Sequence, residues 1–102
     1  MLKIDFVFSK KGNLKFISHL DLMRLFVRAM RRAQIPVKIT EGFSPHPKFS
    51  IKRALKLGLE SDNEEACIVI KELMEPELFV EKLNCQLPEG VRVKSANLIQ
   101  QF

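Results

Sequence analysis

Between residues 19 and 33 the chain carries two stripes at once, and this pattern constrains the fold more than any other. At about 100° per residue, Leu22, Met23, Phe26, Ala29, Met30 and Ala33 fall on one side of a helix. Arg24, Arg28, Arg31 and Arg32 fall on the opposite side. A helix with one apolar side must bury that side, so the rest of the 102 residues has to supply a surface for it to cover. Ser18, three residues before Asp21, forms an approximate capping box at the start, and Pro36 stops the helix by pushing the residue before it out of helical backbone.

That surface is written as strands. Ile4, Phe6 and Phe8 alternate with Lys3, Asp5 and Val7 over residues 2–8, a period of two that predicts a strand. After the break at Lys11-Gly12-Asn13, Leu14-Lys15-Phe16-Ile17 is expected to form a second short strand. Residues 37–40 read as another, and alternation resumes from Phe49 through Ile51 to Leu57, with Arg53 out of pattern at an inward position. Gly58 to Asn63 supply a turn, and Ala66 to Ile70 form the apolar run of a central strand. Pro76 opens a second helix with Leu78, Phe79 and Leu83 on its apolar side and Asn84 as its terminator. A last strand, residues 91–99, carries Val91, Val93 and Leu98. This order predicts an α+β domain over residues 1–102, ferredoxin-like (split βαβ), with an antiparallel sheet and two helices on one face.

Several classes are excluded. No apolar run reaches the ~18 residues of a membrane span, and Lys3 and Asp5 break any apolar leader; a cytoplasmic protein without membrane contact is expected. Cys67 and Cys85 stand eighteen residues apart without a CxxC, so no zinc or iron–sulfur site, metal or cofactor is expected, and both thiols are read as free and buried. No glycine-rich phosphate loop or GxSxG nucleophile motif is present.

Charge points to an anionic partner. Residues 1–56 hold thirteen of the seventeen basic residues and three acids, whereas residues 57–102 hold four basic residues and nine acids. Clustered cations raise a local potential that the net charge of +5 understates. The arginine stripe has two readings, an anion-binding face or a solvated one, with Arg31 and Arg32 also suited to the negative end of the helix dipole.

The segment Glu41-Gly42-Phe43-Ser44-Pro45-His46-Pro47-Lys48 is a stiff loop, since prolines flank its histidine. If it folds over the helix N-terminus, His19, Asp21, Arg24 and His46 would meet in one shared site. Each member also has a structural reading: Asp21 as part of the cap, His19 as a hydrogen-bonded, half-buried residue, His46 as a turn residue. Phe43 either stacks on a nucleobase or pins its loop to the core. Lys48, Lys52 and Arg53 add charge beside the loop.

Several motifs then occur in one order: Phe16-Ile17-Ser18-His19-Leu20-Asp21-Leu22-Met23-Arg24, Arg31-Arg32-Ala33, Ile35-Pro36, Gly42-Phe43-Ser44-Pro45-His46-Pro47 and Leu55-Lys56-Leu57-Gly58-Leu59-Glu60-Ser61. Together they resemble the radical-SAM-linked bacterial family of unknown function, and the chain matches the N-terminal half of that family's domain. The resemblance implies a radical SAM enzyme or module as partner, with a role in RNA or ribosome-related modification; the cluster-binding cysteines would belong to that partner. The expected function is thus a non-catalytic accessory module presenting Arg24, Arg28, Arg31, Arg32, Lys48, Lys52 and Arg53 to RNA or a nucleotide-containing substrate. The rivals are a subunit docking its arginine face on an acidic protein surface and a metal-independent ribonuclease built on His19 and His46.

Overall fold

A computed structural model describes residues 1–54 and 57–100. In chain order it has β1 (Leu2–Lys10), a short 3-10 helix (Gly12–Phe16), α1 (His19–Arg32), β2 (Phe49–Ile51), β3 (Ser61–Ile70), α2 (Pro76–Gln86) and β4 (Val91–Gln100). The strands form an antiparallel sheet in the order β2-β3-β1-β4, an α+β arrangement consistent with the ferredoxin-like type expected.

Alternation along β1 sends Ile4, Phe6 and Phe8 to one face, where they are all but fully buried. Both helices pack on that face. Phe6 lies 5.7 Å from Phe26 of α1 and 5.3 Å from Phe79 of α2, centroid to centroid, and Phe8 meets Phe26 edge-on at 4.8 Å. Tilted and edge-on ring pairs of this kind add about 0.5–1.5 kcal/mol each beyond the area they bury.

The helix ends follow from local chemistry. The Asp21 N–H donates to Ser18 Oγ at 3.1 Å, which is the Ser18 half of the predicted capping box, while the Asp21 carboxylate turns to Arg24 instead. At the other end Gln34 adopts φ 58°, Ile35 N–H donates to Met30 O at 3.0 Å and Gln34 N–H to Arg31 O at 3.1 Å. This is a Schellman motif, with Ile35 and Met30 buried together. Pro36 therefore follows a stop that is already complete. Asn84 does not end α2. It sits inside the helix, accepting from Val93 N–H at 2.8 Å and donating to Val93 O at 2.9 Å, so it fastens α2 to β4. Leu78 is exposed, and the buried side of α2 is Phe79 and Leu83.

Other expectations are corrected. Residues 14–17 form no strand: β1 is already paired on both sides, by β3 and β4, and the chain coils into the 3-10 helix instead. Residues 61–63 are not a turn tip but the first residues of β3, where Ser61 pairs with Lys10. Residues 37–40 make single bridges, Val37 to Ile70 and Ile39 to Pro47, and the strand from Phe49 stops at Ile51. Leu55 and Lys56 lie outside the described residues. Cys85 is exposed rather than buried, and Cys67 is half-buried. Among the described residues no helix is long and apolar enough to cross a membrane.

Candidate anion-binding surfaces

Because α1 lays Leu22, Phe26, Ala29 and Met30 on the sheet, its outer side presents Arg24, Arg28, Arg31 and Arg32, all exposed. Arg24 approaches Asp21 at 3.5 Å, a loose contact between two exposed groups. Arg28, Arg31 and Arg32 have no ion-pair partner among the described residues.

The proline loop is the outer part of a hairpin. Lys48 N–H donates to Lys38 O at 3.2 Å, and Thr40 N–H donates to His46 O at 2.8 Å, so the chain leaves and rejoins the sheet edge at almost one point. Two further hydrogen bonds stiffen the tip, which turns at a left-handed glycine. His46 N–H donates to Thr40 Oγ1 at 3.2 Å; His46 Nδ1 stands 2.7 Å from Ser44 O and carries the proton, since a carbonyl only accepts; Gly42 takes φ 124°, open to glycine and strained for other residues. Phe43, at this tip, is fully exposed. The reading in which Phe43 pins the loop to the core is overturned, because the hairpin points its ring into solvent.

The register roots the two histidines at different ends of the sheet. His19 follows Ile17, whose carbonyl accepts from Lys10 Nζ at 3.3 Å, at the end of β1 where Lys10 pairs with Ser61. The hairpin is rooted at Val69, which pairs with Lys3 at the other end of β1. His46 is bonded within its own hairpin to Thr40 and Ser44, and His19 Nδ1 is buried with no hydrogen-bond partner among the described residues. Asp21 lends only its backbone N–H to the cap while its carboxylate contacts Arg24, so the helix start and the loop form two sites rather than one.

The lysines and Arg53 also divide. Lys52 pairs with Glu65 at 2.8 Å, while Arg53 donates to Glu64 through Nε at 3.3 Å and Nη2 at 3.0 Å. Glu64 is 2% exposed, on the inner face beside Phe8, and Lys10 is 1% exposed. Desolvation pushes the Glu64 carboxyl up, but hydrogen bonds from Arg53 and Ser61 and the charges of Arg53 and Lys10 outweigh it and hold the group below the usual carboxylate range. Burial lowers the Lys10 ammonium, with the Glu64 charge opposing. Arg53, out of pattern in the sequence, is thus the cover over a buried carboxylate. Lys48 has no ion-pair partner among the described residues.

Reading the sequence missed Lys3 and Lys38, which flank Val69 together with Lys48. Only the sheet register brings positions 3, 38 and 48 together, and no spacing in the sequence announces it. It also missed Lys10 and Glu64, whose signal was a charge at a position of otherwise apolar alternation.

A family profile described as "Uncharacterized protein conserved in bacteria (DUF2344)" matches residues 3–102, and the chain belongs to that family. A comparison with curated proteins finds no match.

Proposed function

We propose that this member of an uncharacterized bacterial family is a non-catalytic accessory module that works beside a radical SAM enzyme and holds RNA, or a nucleotide-containing substrate, on a basic surface. The radical SAM partner rests on the motif resemblance between Phe16 and Ser61. The observation that carries the binding role is the row Arg28, Arg31 and Arg32, exposed along α1 with no ion-pair partner among the described residues. Guanidinium groups donate in a planar fork that suits phosphate oxygens, and α1 spaces these along one side at helical pitch. Phe43 adds an aromatic surface on a hairpin stiffened before any ligand arrives, which lowers the entropy lost on binding.

Binding of a single-stranded RNA across a salt series tests this reading. Three phosphate contacts give a slope of log affinity against log salt of about −2. Arg28→Glu with Arg31→Glu should flatten the slope and weaken binding, whereas unchanged affinity sinks the RNA reading. An acidic protein as the ligand is the rival, favoured by the same exposed Phe43, since aromatic anchors dominate protein interfaces. It predicts that the double variant loses the radical SAM partner in a pull-down while RNA affinity stays the same.

A further inference from the structure

We infer that the open face of the sheet is a second binding site, built for a nucleotide-like ligand: a phosphate ester on an uncharged polar body. This inference does not depend on the arginine face of α1.

The face is defined by alternation. Ile4, Phe6 and Phe8 lie under the helices, so Lys3, Asp5 and Val7 face the other way. The register then lines up Ser50, Cys67, Asp5 and Asn97 in one row across all four strands. The next row holds Lys52, Glu65, Val7 and Ser95. Between the edge strands these rows form a groove of about 440 Å³, within the size range of small-molecule sites. The two rows offer uncharged donors and acceptors, Ser50, Ser95 and Asn97, over a floor that includes Val7 and Cys67. Cys67 is no nucleophile here, because desolvation first, and then its hydrogen bond to Asp5, pushes its thiol up to about 11.

Just beyond this groove, in the row after Cys67 and Asp5, three lysines gather around Val69. Val69 N–H donates to Lys48 O at 3.0 Å, Lys38 N–H donates to Val69 O at 2.9 Å, and Lys3 pairs with Val69. Each of these lysines neighbours a residue committed to the helix side: Ile4 in the core, Val37 opposite buried Ile70, and Phe49 stacked on Phe6 at 6.1 Å. Lys3, Lys38 and Lys48 therefore turn to the open side, and Lys3 is close enough to Cys67 for its charge to act on the thiol. None of the three has an ion-pair partner among the described residues. Lys52, by contrast, is held by Glu65. A cationic end beside a row of uncharged hydrogen-bonding groups complements a phosphate joined to a sugar or base, and the negative charge of Asp5 in the row disfavours a second phosphate there.

Titration of the labelled protein with adenosine 5′-monophosphate, followed by amide NMR shifts, tests the assignment, with inorganic phosphate and adenosine as separate probes. The expected result is shifts at Lys3, Asp5, Cys67, Ser95 and Asn97, with the monophosphate binding tighter than either fragment. Lys3→Ala with Lys48→Ala should weaken that binding by about ten-fold, because each contact to an anion is a charge-assisted hydrogen bond. Arg28→Glu with Arg31→Glu should leave it unchanged. Shifts confined to α1, an unaltered affinity in the lysine variant, or phosphate binding as tightly as the nucleotide would each overturn the proposal. Loss of RNA binding in the arginine variant with nucleotide binding retained separates this site from the one on α1.

Discussion

The two faces of the sheet are made by the same strands and obey opposite rules. On the covered face a side chain's place is settled by its neighbours: Phe6 touches Phe8, Phe26, Phe49 and Phe79, and the fold has little freedom to change any of them. On the open face, residues one position away in sequence, Lys3, Asp5 and Val7, share rows with serines, an asparagine, the Lys52–Glu65 pair and lysines that have no ion-pair partner among the described residues. The difference teaches where to look for function in a chain this small. Apart from the buried Lys10 and Glu64, packing accounts for the covered face, whereas nothing in packing asks for three lysines around Val69 or for three arginines along α1 that have no ion-pair partner among the described residues.

That contrast can be broken by mutation, beginning with its strongest side. Phe26→Ala removes a ring shared by Phe6, Phe8 and Phe49 and should cost about 3–5 kcal/mol, read as a lower urea midpoint at unchanged slope. A cost below 1 kcal/mol would mean that the aromatic cluster is not the core it resembles. Glu64→Gln tests the place where, among the described residues, charge intrudes on the covered face. It should cost about 2 kcal/mol, since Lys10 is left buried without its counter-charge, a penalty moderated because Arg53 is largely exposed.

The same carboxylate sets a pH dependence. Its folded value lies below the ordinary 4.5, so the unfolded chain binds the proton first as pH falls. Its stabilising contribution is therefore complete above the ordinary carboxyl value and is lost as pH drops through the lower, folded one. Unfolding free energies measured from pH 6 down to pH 3 should fall more steeply in the wild type than in Glu64→Gln. Parallel curves would remove Glu64 from the acid response.

Smaller effects sharpen the comparison. Asn84→Ala should cost about 1–2 kcal/mol through two lost hydrogen bonds to Val93, and amide exchange at Val93 should quicken. Gln34→Gly should stabilise by about 0.5–1 kcal/mol, because Gln34 holds a left-handed backbone that glycine adopts freely. Arg28→Glu with Arg31→Glu should change stability by less than about 0.5 kcal/mol, as exposed substitutions do, and any larger loss would return the arginine stripe to a structural role.

The sequence makes the covered face legible and the open face nearly invisible, for a physical reason. Alternating Ile4, Phe6 and Phe8 and the spacing of Leu22, Phe26, Ala29 and Met30 are local signals, readable within one or two turns or a few residues of strand. The switch from Val91 and Val93 to Ala96 and Leu98 is local too: the apolar parity changes at Lys94, where the pairing with β1 shifts by one residue. The lysine end of the open face joins positions 3, 38 and 48, which only long-range pairing assembles. The arginine stripe was visible for the same reason that α1 was. The shared site of His19 and His46 failed as an expectation because the sequence does not show at which end of the sheet a loop is rooted.

The hairpin between Lys38 and Lys48 has one more consequence. The chain runs alongside β3 at Val37 and Lys38, departs, and resumes alongside β3 at Phe49 in the same direction, with Lys48 bonded to Lys38 at the point of departure. To the sheet, the residues on either side of this gap form one edge line, and what lies between is a detour whose entrance and exit coincide. The detour can be shortened, lengthened or given another tip without asking the fold for any adjustment, so Phe43 and His46 sit where descendants of this chain are free to diverge in what they recognise while the scaffold beneath them stays the same.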